Sequence, residues 1–62
     1  MTIVLSHKEY QGVDGRTWFV EKYQEKFCEY PFWRYGTIVN GKAYLRSDQL
    51  WSRPNLKKLN II

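Results

Sequence analysis

The stretch that decides the fold runs from Tyr35 to Ser47 and reads YGTIVNGKAYLRS. Its centre, Asn40-Gly41, lies between two short runs rich in β-branched, aromatic and aliphatic residues. An Asn-Gly pair in this setting favours a two-residue type I′ turn, because both central residues of that turn need a positive φ. The sequence therefore predicts an antiparallel β-hairpin over residues 35–47.

A two-residue turn also predicts which residues lie opposite each other. Val39 pairs with Lys42, and counting outward brings Tyr35 opposite Arg46. One face of the hairpin is then small and apolar, and we expect it to pack inward; its members are Ile38, Ala43 and Leu45. The other face is expected to point to solvent; its members are Tyr35, Thr37, Val39, Lys42, Tyr44 and Arg46. Such a mixture suits contacts with phosphates and bases, although it is also ordinary hairpin surface.

The segment from Thr17 to Glu29 fits a helix better than a strand. Its large apolar side chains recur at the helical period, and they are Phe19, Val20, Tyr23, Phe27 and Tyr30. Thr17 suits an N-cap, and Pro31 ends the element. A strand stays open as the alternative, because alternate residues from Phe19 to Phe27 also form one face. The predicted fold class is α+β, with one amphipathic helix packed on a small antiparallel sheet that contains the Asn-Gly hairpin, in a single domain over residues 1–62.

Shorter elements flank these two. Residues 2–5 predict a short strand, and QGVDG at residues 11–15 predicts a turn. Ser47 is placed to cap a short helix that Arg53-Pro54 stops. The tail NLKKLNII, residues 55–62, either docks on the core, extends the sheet, joins a second copy or frays.

Composition and charge point to a contact surface. Eleven of the 62 residues are aromatic, which is more than a core of this size readily hides, so some rings are expected at the surface. Residues 1–31 carry four Lys or Arg and five Asp or Glu, whereas residues 32–62 carry six and one. A basic C-terminal half indicates a polyanionic partner, with plain solubility as the alternative.

Several classes of protein are not indicated by the sequence. The single cysteine, Cys28, allows no intrachain disulfide and no thiolate cluster, which is typical of a cytoplasmic protein. No apolar run has the length of a membrane span or a signal peptide core. His7 is the only histidine, and no catalytic triad, phosphate-binding glycine loop or carboxylate pair accompanies it. We therefore expect no enzyme activity, no metal, no cofactor and no membrane partner.

The segment VNGKAYLRSDQLW, residues 39–51, resembles the wing and following helix of small winged-helix proteins of the phage excisionase and MerR-like type. The resemblance implies a winged-helix fold, with Lys42, Tyr44 and Arg46 as wing contacts to DNA and Arg34 near its backbone. In that family a recognition helix precedes the wing, but Pro31 interrupts the corresponding region of this chain. Either the winged helix is degenerate here, or the predicted helix over residues 17–29 serves as the recognition helix.

Three hypotheses for function follow. The first is a small non-enzymatic nucleic-acid-binding protein, of the phage or mobile-element excisionase-like or regulatory type, with duplex DNA as its partner. Its candidate contacts are Arg34, Tyr35, Lys42, Tyr44, Arg46, Arg53, Lys57 and Lys58. The second is a module that binds or inhibits a host protein through Trp33 and Trp51. The third is a homo-oligomeric structural protein that associates through its termini.

Overall fold

The computed structural model describes residues 2–62 as one four-stranded antiparallel sheet with strand order β1-β2-β3-β4. The strands are β1 (Thr2–Gln11), β2 (Thr17–Glu25), β3 (Phe32–Val39) and β4 (Lys42–Leu50). Each strand pairs with the next one along the chain, so the sheet is a simple meander. The last residues, 51–62, form a chain segment without regular secondary structure, which we call the C-terminal segment.

The predicted α+β class is wrong, because residues 2–62 contain no helix. The predicted helix from Thr17 to Glu29 is absent: Thr17–Glu25 form strand β2, and the remaining residues belong to the connection to β3. Strand β2 has buried side chains on both faces, since Trp18, Phe19 and Val20 follow one another and are all buried. Three consecutive buried residues fit a central strand, because successive side chains point to opposite faces and neighbouring strands shield both. The aromatic residues of this segment satisfied the helical and the strand period together, and their β-propensity decided the outcome. Phe27 and Tyr30, the last two members of the predicted helical stripe, are both exposed.

The short helix after Ser47 and the winged-helix fold implied by the resemblance are also wrong. Strand β4 continues through this region to Leu50. Two irregularities bend it: Tyr35 pairs with Ser47 rather than with Arg46, and the pairing shifts again before Trp33 reaches Leu50. Both are places where β4 has extra residues, as in a β-bulge.

The hairpin and the first turn are where the sequence predicted them. Asn40 and Gly41 both have positive φ, 52° and 78°, as a type I′ turn requires. The predicted pairs from Val39 opposite Lys42 to Gly36 opposite Leu45 are present, and only the outermost pair is displaced by the bulge. The turn at residues 11–15 joins β1 to β2, and β1 is much longer than the predicted strand over residues 2–5.

The C-terminal segment covers one face of the sheet. Leu56 is buried against Trp18 and Val20, and Ile61 packs beside them. One backbone hydrogen bond ties the segment to the turn between β1 and β2, since Val13 N donates to Ile61 O at 2.7 Å. Within the segment, Ile61 N donates to Leu56 O at 2.9 Å. We call this covered side of the sheet the groove face.

The expected orientation of the hairpin is therefore reversed at its base. Tyr35, expected to face solvent, is half-buried on the groove face against the core. Leu45, expected to pack inward, lies on the other side of the sheet and is 53% exposed, because residues 2–62 supply no helix to cover it. We call that side the opposite face. Its own centre is Phe19, which is 1% exposed beneath the stacked ring of His7, with 5.8 Å between ring centroids.

Candidate functional site

Charge is divided between the two faces of the sheet. Lys8 pairs with Val20 and Lys22 pairs with Trp33, so both lysines lie on the groove face. The acidic residues of β1 and β2 lie on the opposite face; they are Glu9, Glu21 and Glu25. Because neighbouring residues of a strand point to opposite sides, adjacent lysines and glutamates are separated in this way.

Three adjoining depressions form a groove on the groove face, which we call the basic groove. The first is lined by Lys22, Tyr30, Pro31, Trp33 and Trp51. Trp33 also borders the second, which Ser6, Lys8, Val20 and Arg53 complete. Val20 and Arg53 border the third as well, together with Tyr10, Leu56, Lys57 and other residues of the C-terminal segment. The groove thus runs across β2 and along the C-terminal segment.

Cations and aromatic rings alternate along the basic groove. The Lys22 ammonium lies 5.8 Å from the centre of the Trp33 ring, and Arg53 Nη2 donates a hydrogen bond to the Tyr10 hydroxyl at 2.5 Å. The residues that line the groove include no Asp or Glu. Among residues 2–62, none of the ion pairs involves Lys8, Lys22, Arg53 or Lys57. The groove therefore presents positive charge that the described part of the chain does not neutralise.

The opposite face carries a closed network of charges. Glu21 Oε1 accepts a hydrogen bond from Arg34 Nε at 2.7 Å, and Glu21 Oε2 lies 2.7 Å from His7 Nδ1. The second ring nitrogen of His7 lies 2.9 Å from Glu9 Oε2. The Arg34 guanidinium also lies over the Tyr23 ring, 4.6 Å from its centre.

This network shifts two pKa values. Hydrogen bonds to Glu9 and Glu21 raise the pKa of His7 above its ordinary value of 6.5, since both carboxylates favour the imidazolium. Burial acts to raise the pKa of Glu21, but the hydrogen bonds from Arg34 and His7 outweigh it and hold that pKa below its usual value. The charges of His7, Glu9, Glu21 and Arg34 therefore interact with one another.

The structure separates the predicted nucleic-acid contacts. Arg53 and Lys57 lie in the basic groove, whereas Arg34 lies on the opposite face and is paired with Glu21. Lys42 and Tyr44 are exposed near the hairpin turn. Arg46 lines a separate depression outside the basic groove, together with Asp14 and Trp18. Tyr35 is half-buried, and Lys58 is exposed.

Both predicted protein anchors, Trp33 and Trp51, border the first depression of the basic groove. The groove also contains four cationic or aromatic residues that sequence reasoning did not identify as site residues, and they are Lys8, Tyr10, Lys22 and Tyr30. Each of the two lysines stands next to a glutamate in the sequence, in Lys8-Glu9 and Glu21-Lys22. This adjacency is the signal that could have located them. In a strand this arrangement sends the two charges to different faces. The signal was missed because Glu21-Lys22 falls in the predicted helix and Lys8-Glu9 falls outside the predicted strand over residues 2–5.

Clusters of metal-ligating side chains and helices that could span a membrane are absent from the described part of the chain. Within residues 2–62, no group of three or more His, Cys, Asp or Glu side chains is arranged to hold a metal ion. The same residues include no helix of the length and apolarity needed to cross a membrane. The thiol of Cys28 is free and half-buried in the connection between β2 and β3.

The basic groove combines exposed aromatic rings with cations that form no ion pair within residues 2–62, so it is the candidate functional site. Lys42, exposed at the start of β4, gives the hairpin tip a second, smaller basic surface outside the basic groove. The chain matches no family model, no curated protein and no solved structure.

Proposed function

We propose that this protein binds nucleic acid and holds a phosphate backbone along the basic groove. The observation that carries the proposal is the separation of charge: the groove cations have no carboxylate partner among residues 2–62, while Glu21 is bound by Arg34 and His7 on the other side of the sheet. A polyanion that enters the groove meets positive charge without first displacing an internal ion pair. Its release of counterions then favours binding.

The groove also suits a nucleic acid better than a simple anion. Its cations are spread over three adjoining depressions, from Lys22 through Lys8 and Arg53 to Lys57. A chain of phosphates presents charges at regular intervals, so it contacts several of these cations together, whereas a single small anion contacts one. Tyr10 and Trp33 lie between the cations, where sugars and bases offer apolar and aromatic surface.

The proposed activity is binding alone, with no reaction catalysed. We further propose that the protein acts in the cytoplasm, where an unpaired thiol such as that of Cys28 stays reduced.

Salt-dependent binding tests the proposal directly. Fluorescence anisotropy of a labelled oligonucleotide, in duplex and single-stranded form, is measured at about 50 mM and about 200 mM salt. The double variant Lys8→Gln/Lys22→Gln is expected to bind more weakly. Its slope of log affinity against log salt falls by roughly 0.7 to 0.9 for each phosphate that the protein no longer neutralises.

The matched control removes the same charge elsewhere. Arg16→Gln/Lys26→Gln changes two cations that do not line the basic groove, and it is expected to keep the slope of the unmodified protein. A third variant, Lys42→Gln/Arg46→Gln, measures the contribution of the hairpin. Equal losses of affinity in all three variants contradict a groove and indicate a response to net charge alone. Absence of binding to either form of the oligonucleotide ends the proposal.

A further inference from the structure

Exposed aromatic rings collect at the first depression of the basic groove. Trp51 is 74% exposed and Tyr30 is 64% exposed, and both border this depression with Trp33. Its volume is about 440 Å³. Large rings left open to water in so small a domain indicate a surface that a ligand covers.

The Trp51 ring is held in place although it is exposed. It packs against Phe32 at the start of β3, with 4.9 Å between ring centroids and 55° between ring planes. Phe32 is in turn packed against the buried Tyr23, with centroids 6.2 Å apart. This chain of contacts ties Trp51 to a buried side chain of β2, so the ring gives up little freedom when a ligand stacks on it.

The chemistry beside these rings selects the ligand. Lys22 lies over Trp33 on one wall of the depression, and the cations Lys8 and Arg53 follow in the next one. A ligand that matches both features has a flat π system attached to a chain of negative charges. An unpaired nucleotide has this form, whereas the bases of a duplex are stacked on each other and paired.

We propose that the first depression receives an unpaired nucleobase stacked on Trp51, and that the ligand of the basic groove is therefore single-stranded nucleic acid. This inference rests on the proposed function, since the phosphates on either side of the base must lie along the groove. The base adds affinity without a sequence preference, because every base offers a π face. Lys22 contacts the phosphate next to the stacked base.

An abasic oligonucleotide separates stacking from phosphate binding. A single-stranded oligothymidine and an abasic strand of the same length carry the same charge, so only the first offers bases. Fluorescence anisotropy is expected to give the oligothymidine an affinity roughly 5-fold to 100-fold higher than that of the abasic strand. Trp51→Ala is expected to remove this difference while the salt slope stays unchanged.

Two further variants control for loss of structure and for removal of any exposed ring. Trp51→Phe keeps an aromatic face and is expected to retain most of the difference. Phe27→Ala removes a ring that is 90% exposed and does not line the groove, and it is expected to change nothing. Far-ultraviolet circular dichroism reports whether each variant keeps the sheet.

The outcomes distinguish this inference from the proposed function. Equal, salt-dependent affinity for the oligothymidine and the abasic strand overturns the stacking site and leaves phosphate binding in the groove intact. Tighter binding of a duplex than of the single strand overturns the inference in the same way. No binding to any of the three probes overturns both proposals, and it leaves Trp33 and Trp51 as anchors for a protein partner.

Discussion

The two faces of the sheet are built from the same strands, yet they use charge in different ways. On the opposite face, Arg34 and His7 are bound to Glu21, and the network lies over buried aromatic rings. On the groove face, Lys8 and Lys22 point away from these carboxylates because each is one residue out of phase with a glutamate. Strand alternation can thus separate the adjacent lysines and glutamates of β1 and β2, so that one face is cationic and the other pairs its charges internally.

The faces also differ in how they are buried. The groove face is covered by the C-terminal segment through Leu56. The opposite face has no covering element among residues 2–62, and Phe19 is buried there by side chains of the sheet itself. Substitutions on the two faces should therefore separate stability from binding.

The greatest change is expected from Phe19→Ala. Removal of this fully buried ring leaves a cavity beneath His7, and we expect the free energy of unfolding to fall by about 3 to 5 kcal/mol. Urea denaturation followed by circular dichroism measures the change. Phe27→Ala, at an exposed position, is expected to cost less than about 0.5 kcal/mol. Similar losses of stability in the two variants would show that the opposite face has no core of its own.

Leu56→Ala tests the covering of the groove face. We expect a loss of about 2 to 3 kcal/mol, near the lower end for a buried leucine, because the C-terminal segment is free of sheet pairing and can move to fill part of the cavity. The same denaturation experiment applies, with Leu59→Ala as the control at an exposed position of the same segment. Oligonucleotide affinity is expected to fall in the first variant alone, since Arg53 and Lys57 lie beside Leu56.

Glu21→Gln breaks the charge network of the opposite face. The neutral amide weakens the bonds to both Arg34 and His7, and the expected loss of stability is about 1 to 2 kcal/mol. Glu29→Gln is the control, since Glu29 takes part in none of the ion pairs of residues 2–62. Equal stability of the two variants would mean that the network contributes nothing. Neither variant should weaken oligonucleotide binding.

A pH dependence that arises from His7 is expected to be weaker than any of these changes. The pKa of His7 is raised in the folded state, so its contribution to stability is fully present below the ordinary value of 6.5 and is lost as the pH rises through the folded pKa. Glu21, whose pKa is lowered, stays ionised over this range and loses its contribution only as the pH falls into the acidic range. Denaturation at about pH 6 and about pH 9 should show a decline that His7→Gln reduces. A decline of the same size in the variant would assign it to other groups.

Local features of the fold could be predicted from the sequence, but its class could not. The Asn40-Gly41 turn depends on two adjacent residues whose backbone preference is strong, and the predicted register is correct as far as Gly36. Strand β2 was not predicted because the spacing of its aromatic residues favours a helix over a strand, and the β-propensity and burial on both faces that outweigh this spacing do not show in the periodicity. The bulge at Arg46 leaves no clear mark in the residues themselves.

The candidate site was partly predictable for a related reason. Arg53, Lys57 and Trp33 can be identified from charge and aromatic content, which do not depend on the fold. Lys8 and Lys22 cannot, because the face of a side chain follows from the secondary structure. The sequence favours a helix where Lys22 lies in β2, and the predicted strand over residues 2–5 ends before Lys8. Arg34 stands out for its charge, but its partner Glu21 becomes visible only once β2 and β3 are paired.

The C-terminal segment has a consequence for the order of folding. The meander is made of hairpins between neighbouring strands, which close short loops and form early. The groove is different, because it needs Arg53 to reach Tyr10, 43 positions away along the chain. Closing that long loop costs more entropy and comes late. We therefore expect the sheet to form before the groove. A ligand that bridges Lys8 and Arg53 binds only after the C-terminal segment has docked, so it would stabilise the docked state.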